Sequence, residues 1–175
     1  MDDHQNHNLS AQETPTSPGS GKKRGMRTGY TTGACATAAT RAALLALLDG
    51  HAPDSVTIAL PVGVKATFAI HSCTLHTDGS VTASVIKDAG DDPDVTHGAE
   101  LCSTVSWLAT PDIQIDGGVG VGRVTKPGLG LEVGSAAINQ VPRAMIEGVV
   151  RELLTERGEL RGVSVLIAVP DGLER

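Results

Sequence analysis

Aromatic side chains are scarce in this 175-residue chain, which contains one Trp, one Tyr and one Phe. Proteins that bind single-stranded nucleic acids stack bases on exposed rings, so this scarcity argues against that class. Positive charge is also in deficit, with 14 basic against 20 acidic residues and a formal net charge of -6. Such a chain repels polyanions as a whole, so we expect no nucleic-acid partner. No apolar run approaches the roughly 18 residues of a spanning helix, so we expect no membrane partner either.

The sequence also shows no secretory leader and no disulfide framework. Residues 1–25 are polar throughout, so the expected compartment is the cytoplasm. Cys35, Cys73 and Cys102 are odd in number, far apart and outside any CxxC pattern, which predicts reduced thiols. His4 and His7 lie in the polar N-terminal segment, where solvated side chains are the ordinary interpretation. No metal site is predicted.

The chain has the length of one ordinary domain with a tail. Residues 1–26 are dominated by Ser, Thr, Pro, Gly, Asn and charged residues, which cannot form a packed core. We therefore expect a disordered polar tail over 1–26 and one folded domain over 27–175.

Helix and strand signals alternate along the folded part. Segment 28–49 is rich in Ala and Leu and predicts a buried helix, with Thr31 or Thr32 as its cap and Gly50 as its end. Segment 139–157 has amphipathic spacing and predicts a second helix, beginning at Asn139 or at the turn before Pro142. Strands are predicted over 55–60, 64–77, 80–87, 113–115 and 162–170, with the Asp78-Gly79 pair closing a hairpin.

Segment 99–109 is ambiguous, since Leu101, Val105 and Leu108 also fit one face of a helix. Hairpin strands early in the chain, with helices before and after them, predict an α+β fold. In this fold a mainly antiparallel sheet carries the helices on one face.

The first segment that could carry chemistry is RTGYTTGAC, residues 27–35. Its hydroxyls and glycines directly precede a helix, whose N-terminal N–H groups favour a carboxylate or a phosphate. A turn that only caps the helix is the alternative. Cys35 would lie in the first turn, where a thiol is activated, or would act as a packed small residue.

The second such segment is KDAGDDPDVTHG, residues 87–98, which places four carboxylates within seven residues. The carboxylate spacing is compatible with a divalent ion, but the glycine and the closing glutamate of a calcium loop are missing. Side chains that cap a turn explain part of the pattern. His97 is the best single candidate for a proton donor or acceptor, with a plain surface histidine as the alternative.

The third segment, 117–135, contains seven glycines between positions 117 and 134, with Arg123 and Lys126 among them. Successive N–H groups in such a loop can form an anion site, to which the two cations add donors. The segment matches neither the dinucleotide-binding pattern nor the P-loop pattern. A string of bulges and tight hairpins is the alternative to ligand contact.

Taken in order, three stretches resemble the CbiD family of cobalt-precorrin-5B C(1)-methyltransferases: RTGYTTGACATAATRAAL, IKDAGDDPDVTHGAE and GVGRVTKPGLGLEVGSAAINQVPRAMI. The resemblance covers residues 27–175. It implies methyl transfer from S-adenosylmethionine to ring carbon 1 of a cobalt-containing tetrapyrrole, giving cobalt-precorrin-6A in anaerobic cobalamin synthesis. Cobalt would enter only as part of the substrate.

The resemblance also implies roles for residues of the three segments. The many carboxylates of the tetrapyrrole suit loop N–H groups, threonine hydroxyls and cations, while the cationic methyl donor suits the aspartates. His97 and Asp94 are then the candidate catalytic groups, with His97 moving a proton. The candidate binding residues are Thr28, Thr31, Thr32, Lys87, Asp88, Asp91, Asp92, Thr96, Gly120, Gly122, Arg123, Thr125, Lys126 and Arg143.

Members of this family are about twice as long as this chain and continue into a second domain. The resemblance therefore implies an N-terminal part, with a C-terminal half as its possible partner. A tetrapyrrole-binding module without catalysis is one alternative. A small-molecule kinase is a weaker one, because residues 126–137 partly resemble the phosphate loop of galactokinase-like kinases but are interrupted by Leu131-Glu132-Val133.

Overall fold

The computed structural model describes residues 29–91, 96–128 and 130–171. The described residues form two helices and seven strands. In chain order these are α1 (Thr32–Asp49), β1 (Ser55–Ala59), β2 (Lys65–Ala69), β3 (Ser72–Leu75), β4 (Val81–Ile86), β5 (Glu100–Leu108), β6 (Ile113–Gly117), α2 (Gln140–Arg157) and β7 (Gly162–Ala168).

Both helices begin and end where local sequence signals predict. Thr31 is the N-cap of α1, and its hydroxyl accepts a hydrogen bond from the Ala34 N–H at 3.0 Å. Gly50 ends α1 with a left-handed φ of 79°. Asn139 is the N-cap of α2, and Gly158 ends that helix with a φ of 61°.

The helical face suggested within 99–109 is wrong, because this segment forms β5. Leu101, Ser103 and Val105 are buried in alternation along the strand. The alternation was obscured because a polar residue occupies a core position. Ser103 is accommodated there by a hydrogen bond of 2.8 Å to the hydroxyl of Thr40 on α1.

The strands form two sheets instead of one. β1 and β2 make a two-stranded antiparallel sheet, and the other five strands are ordered β3-β4-β5-β7-β6. The predicted run 64–77 therefore divides, since β2 belongs to the small sheet and β3 to the large one. The β3–β4 hairpin turns at Gly79, whose φ is 88°, as the Asp78-Gly79 pair predicts. Only the β6–β7 pair of the large sheet is parallel.

The fold is α+β, as predicted, with a core beneath one face of the large sheet. α1 packs against β4 and β5, and also against α2. The alanines of α1 are almost completely buried, and their small side chains allow this close approach. Val81, Val105 and Val165 contribute from the sheet to the same core. Neither helix in the described ranges is long and apolar enough to cross a membrane.

Candidate functional site

The three segments singled out in the sequence meet at one edge of the large sheet. Ile86 at the end of β4 pairs with Glu100 at the start of β5, while Gly117 at the end of β6 pairs with Ile167 near the end of β7. Cys102 pairs with Ala168, which places both pairs at the same edge. The connections 87–99 and 118–139 therefore leave the sheet side by side.

Close contacts fasten the helix N-termini to this edge. The Tyr30 N–H donates to the Asp88 carbonyl at 2.8 Å, and a Cβ on Gly29 would overlap the backbone of Ala89. These contacts join the start of α1 to connection 87–99. Gly33 touches Pro142, so α1 and α2 begin next to each other.

A cleft of about 370 Å³ lies where these parts meet. The first two segments supply Thr32 and Thr96, and the glycine-rich segment supplies Gly120 and Gly122, all four of them predicted site residues. The remaining lining residues are Gly33, Ala36, Leu101, Val121, Ala137, Ile138, Asn139, Pro142, Ile146, Ile167 and Val169. Among these described residues no side chain carries a charge, so the cleft is largely apolar with a few hydroxyl and amide groups.

The electrostatic character of the cleft comes from the helices. Both helix N-termini face it, through Thr32 and Gly33 of α1 and through Asn139 and Pro142 of α2. Neither helix has an acidic residue in its first turn, and the described structure shows no capping hydrogen bond from the Asn139 side chain. The partial positive charge of two helix ends therefore favours an anionic group in the cleft.

Lys87 is buried next to the cleft lining. Its side chain is only 3% exposed, and its Nζ donates to the hydroxyl of Thr96, which lines the cleft. A buried ammonium group thus lies one hydrogen bond away from the lining. A lysine in the next position after β4 was predicted as a site residue, but its burial could not be read from the sequence.

His97 lies beside the cleft and is not part of its lining. Its Nδ1 accepts a hydrogen bond from the Ala89 N–H at 3.0 Å and is 3.9 Å from the Asp88 carboxylate. Because Nδ1 accepts, the hydrogen of the neutral ring is on Nε2.

The predicted arginines contact groups of the protein itself. Arg123 donates to the Asp116 carboxylate at 2.6 Å and to the Gly117 carbonyl at 2.7 Å. The hydrogen bond from Arg123 holds the pKa of Asp116 below its usual range. Arg143 donates to the carbonyls of Ile115, Ala136 and Ile138, which ties the glycine-rich segment to β6.

The other predicted site residues do not line the cleft or lie outside the described residues. Thr31 caps α1, while Asp91, Thr125 and Lys126 are exposed outside the lining. Thr28, Asp92 and Asp94 lie outside the described residues, as does the predicted tail. Over the described ranges, no group of three His, Cys, Asp or Glu side chains is placed to hold a metal ion.

Cys35 is a packed small residue and not an activated thiol. It is completely buried in the first turns of α1, and burial raises its pKa to about 11. Desolvation therefore outweighs the charge of Lys87, which by itself would lower this pKa. All three cysteines are free, as predicted.

Sequence reasoning missed most of the apolar lining. Ile146, Ile167 and Val169 belong to predicted elements and Ile138 directly precedes one, but nothing in their spacing separates a lining residue from a core residue. Asn139 was predicted only as a helix start. The sequence signal available for it was its position directly before a helix with no acidic residue in its first turn.

The glycine-rich segment does not form the phosphate loop of the kinase alternative. That arrangement requires glycines and serines at the start of a helix, but α2 begins only at Gln140. Ala136 instead pairs with Arg123 in an isolated β-bridge.

Comparison with known proteins places the chain in a family. The model of the CbiD family matches residues 19–175. The chain belongs to the CbiD family. A curated relative from Geobacillus sp. (strain WCH70), named cobalt-precorrin-5B C(1)-methyltransferase, is 60% identical over 87% of this chain and 41% of its own length. A relative of the same name from Priestia megaterium is 58% identical over 93% of this chain and 43% of its own.

A CbiD structure has also been solved. The crystal structure of a cobalamin biosynthesis protein (CbiD) from Archaeoglobus fulgidus matches with a TM-score of 0.61 and 27% identity. The match covers 85% of this chain and 45% of that protein. The chain thus spans about two fifths of the length of the curated CbiD relatives it matches.

Proposed function

We propose that this chain takes part in the methylation of ring carbon 1 of cobalt-precorrin-5B, with S-adenosylmethionine as the methyl donor and cobalt-precorrin-6A as the product. The observation that carries the proposal is the convergence of three segments on one cleft, in a chain 60% identical to a relative named for this activity. The reaction belongs to the anaerobic synthesis of cobalamin.

The shape and charge of the cleft suit one edge of the tetrapyrrole. Ligand cavities of about 300–1,000 Å³ bury most of a drug-sized molecule, and the cleft at about 370 Å³ is at the small end of that range. We infer that one pyrrole ring enters, with a peripheral carboxylate at the two helix N-termini. The apolar lining contacts the ring, and the rest of the macrocycle stays outside.

The chemical step needs alignment more than acid–base groups. The bond between the donor sulfur and its methyl group breaks as the bond from methyl to ring carbon forms, so the protein chiefly orients the two reactants. The carboxylates of Asp88 and Asp91, on the same connection as Thr96 of the cleft, suit the sulfonium charge of the donor. His97 and Asp94 remain the proposed groups for proton movement, with His97 as the group that moves the proton.

A second candidate is a module that binds the tetrapyrrole without catalysing the reaction. The observation that favours it is that no titratable side chain lines the cleft among the described residues. In that case, the activity requires the further length that the relatives have, and the proposed partner is this C-terminal part.

Both candidates are tested by titrating the purified chain with cobalt-precorrin-5B and following the absorbance of the macrocycle. We expect saturable binding that weakens about 10-fold in Thr32→Val, because the hydroxyl at the α1 N-terminus is lost. Thr57→Val on the exposed face of the small sheet is the matched control and should bind as the wild type does.

Turnover separates the two candidates. The chain is mixed with S-adenosylmethionine and the macrocycle, with and without the C-terminal part of the Priestia megaterium relative as a separate polypeptide. Product formed by the chain alone supports the enzyme, and product formed only in the mixture supports the module. Absence of macrocycle binding in both mixtures would falsify the proposed function.

A further inference from the structure

A second cavity borders the segment that leads into α1 and shares no lining residue with the cleft. It has a volume of about 510 Å³. Its border includes Tyr30, residues 68–71 at the end of β2 and directly after it, and Asp88 after β4. We call it the Tyr30 groove. The chain has one Tyr and one Phe, and both rings lie here.

The two rings give the groove a fixed aromatic wall. Their centroids are 4.7 Å apart, with the planes tilted by 55°. Phe68 is 5% exposed and belongs to the core, whereas Tyr30 is half-buried and packs against that core. Within the described ranges the Tyr30 hydroxyl makes no hydrogen bond.

A carboxylate stands at the rim of this wall. The Asp88 side chain is 46% exposed, and one of its oxygens accepts the Gly90 N–H at 2.8 Å. The Asp88 carbonyl accepts the Tyr30 N–H, so the ring and the carboxylate are held next to each other by one backbone hydrogen bond. An aromatic face beside a carboxylate suits a flat, positively charged ligand.

The Tyr30 groove and the cleft are close neighbours. Tyr30 borders the groove and Thr32 borders the cleft, and two residues of extended chain span at most about 7 Å. Connection 87–99 contributes Asp88 to the groove and Thr96 to the cleft. A ligand at the rim of the groove therefore lies within reach of a ligand at the mouth of the cleft.

We propose that the Tyr30 groove binds the adenosyl sulfonium portion of the methyl donor, with the adenine on the Tyr30 ring and the sulfonium facing Asp88. The two cavities differ in electrostatic character, as the binding of two oppositely charged ligands requires. Two helix N-termini border the cleft and suit the carboxylates of the macrocycle, whereas the groove has the carboxylate that suits a cation. The identity of the donor rests on the proposed function above.

The proposal is tested by calorimetric titration of the chain with S-adenosylmethionine and with its product S-adenosylhomocysteine, which lacks the sulfonium charge. Tyr30→Ala should weaken the binding of both by about 10-fold, because stacking is lost. Tyr30→Phe keeps the ring and should stay within about 3-fold of the wild type. Asp88→Asn should weaken S-adenosylmethionine by about 10-fold and S-adenosylhomocysteine by less than 3-fold, because only the former has the sulfonium charge.

Controls separate a local effect from a loss of fold. Thermal unfolding of each variant is followed by circular dichroism, and Lys65→Ala on the small sheet outside the groove should bind both ligands as the wild type does. Equal affinity of Tyr30→Ala and the wild type overturns the proposal, and so does a wild-type chain that binds neither ligand. The macrocycle titration is carried out without either ligand. Absence of donor binding therefore contradicts the groove proposal alone, whereas absence of macrocycle binding contradicts the proposed function.

Discussion

Gly33 of α1 and Pro142 of α2 are in contact at the cleft, such that a Cβ on Gly33 would lie 2.8 Å from the Pro142 Cγ. The two helices run in the same direction, since Arg41 and Glu152 then form an ion pair at 3.6 Å and Asp49 bonds Arg157 at the far ends. The contact at Gly33 therefore brings the N-termini of the two helices together. The partial positive charges of these two ends repel each other, so the packing contact must offset this repulsion.

Gly33→Ala should separate the helix N-termini. The added methyl group collides with a proline ring that cannot rotate away, so we expect a loss of about 1–3 kcal/mol in the free energy of unfolding and weaker macrocycle binding. Urea denaturation measures the first and absorbance titration the second.

Gly148→Ala is the matched control on α2, because nothing lies within 4 Å of its added methyl group. It should stabilise the protein by about 0.5–1 kcal/mol, since alanine favours the helix over glycine. If Gly33→Ala also stabilises the protein, the helix contact does not determine the spacing at the cleft.

Gly120→Ala should detach the glycine-rich segment from β7. Gly120 has a φ of 76°, and a Cβ there would overlap the carbonyl oxygen of Val169. We expect a loss of about 3 kcal/mol, from strained backbone and from displacement of the segment. Gly134→Ala, with a φ of 88° and open space around it, carries only the backbone strain and should lose about 1 kcal/mol. Equal losses in urea denaturation would show that the Val169 contact is unimportant.

Thr40→Val and Ser103→Ala should differ in severity although they break the same 2.8 Å hydrogen bond. Ser103→Ala leaves the Thr40 hydroxyl bonded to the Ala36 carbonyl at 2.9 Å, so we expect a loss of about 1 kcal/mol. Thr40→Val leaves the buried Ser103 hydroxyl without this partner and should lose about 2–3 kcal/mol. The double variant should lose less than the sum, and additive losses in a double-mutant cycle would contradict the coupling.

Glu159 should give the fold an acid-sensitive contact that the single tryptophan reports. Hydrogen bonding from Arg161 lowers the pKa of Glu159 from 4.5 to about 2, and the Arg161 guanidinium lies 4.0 Å from the centre of the Trp107 ring. Because the folded-state pKa is the lower one, this contribution to stability is complete above pH 4.5. It is lost as the pH falls through about 2.

The measurement is Trp107 fluorescence between pH 6 and pH 2, with Glu159→Gln as the comparison. The wild-type signal should change toward that of the variant only as the pH approaches 2, while the variant itself stays constant until global unfolding. Parallel titration curves for the two proteins would exclude the Glu159–Arg161 pair as the cause. The effect on global stability should be small, because the pair is exposed.

The sequence alone determined the elements whose signals are local. Helix caps at Thr31, Gly50 and Asn139 depend on a few neighbouring residues, and so does the hairpin at Asp78-Gly79. Three segments with unusual composition were also recognisable, since clustered glycines, hydroxyls and aspartates do not depend on the fold. The free state of the three cysteines followed from their spacing.

Only the tertiary structure decided which of these residues face a ligand. Arg123 and Arg143 are cations in the sequence, but the fold directs Arg123 to the Asp116 carboxylate and the Gly117 carbonyl, and Arg143 to three backbone carbonyls. Lys87 is buried by contacts between distant segments. β5 pairs with β4 and β7, and its Ser103 is bonded to Thr40 on α1, 63 residues away. Burial and pairing are sums over residues far apart in the chain, so no local pattern contains them.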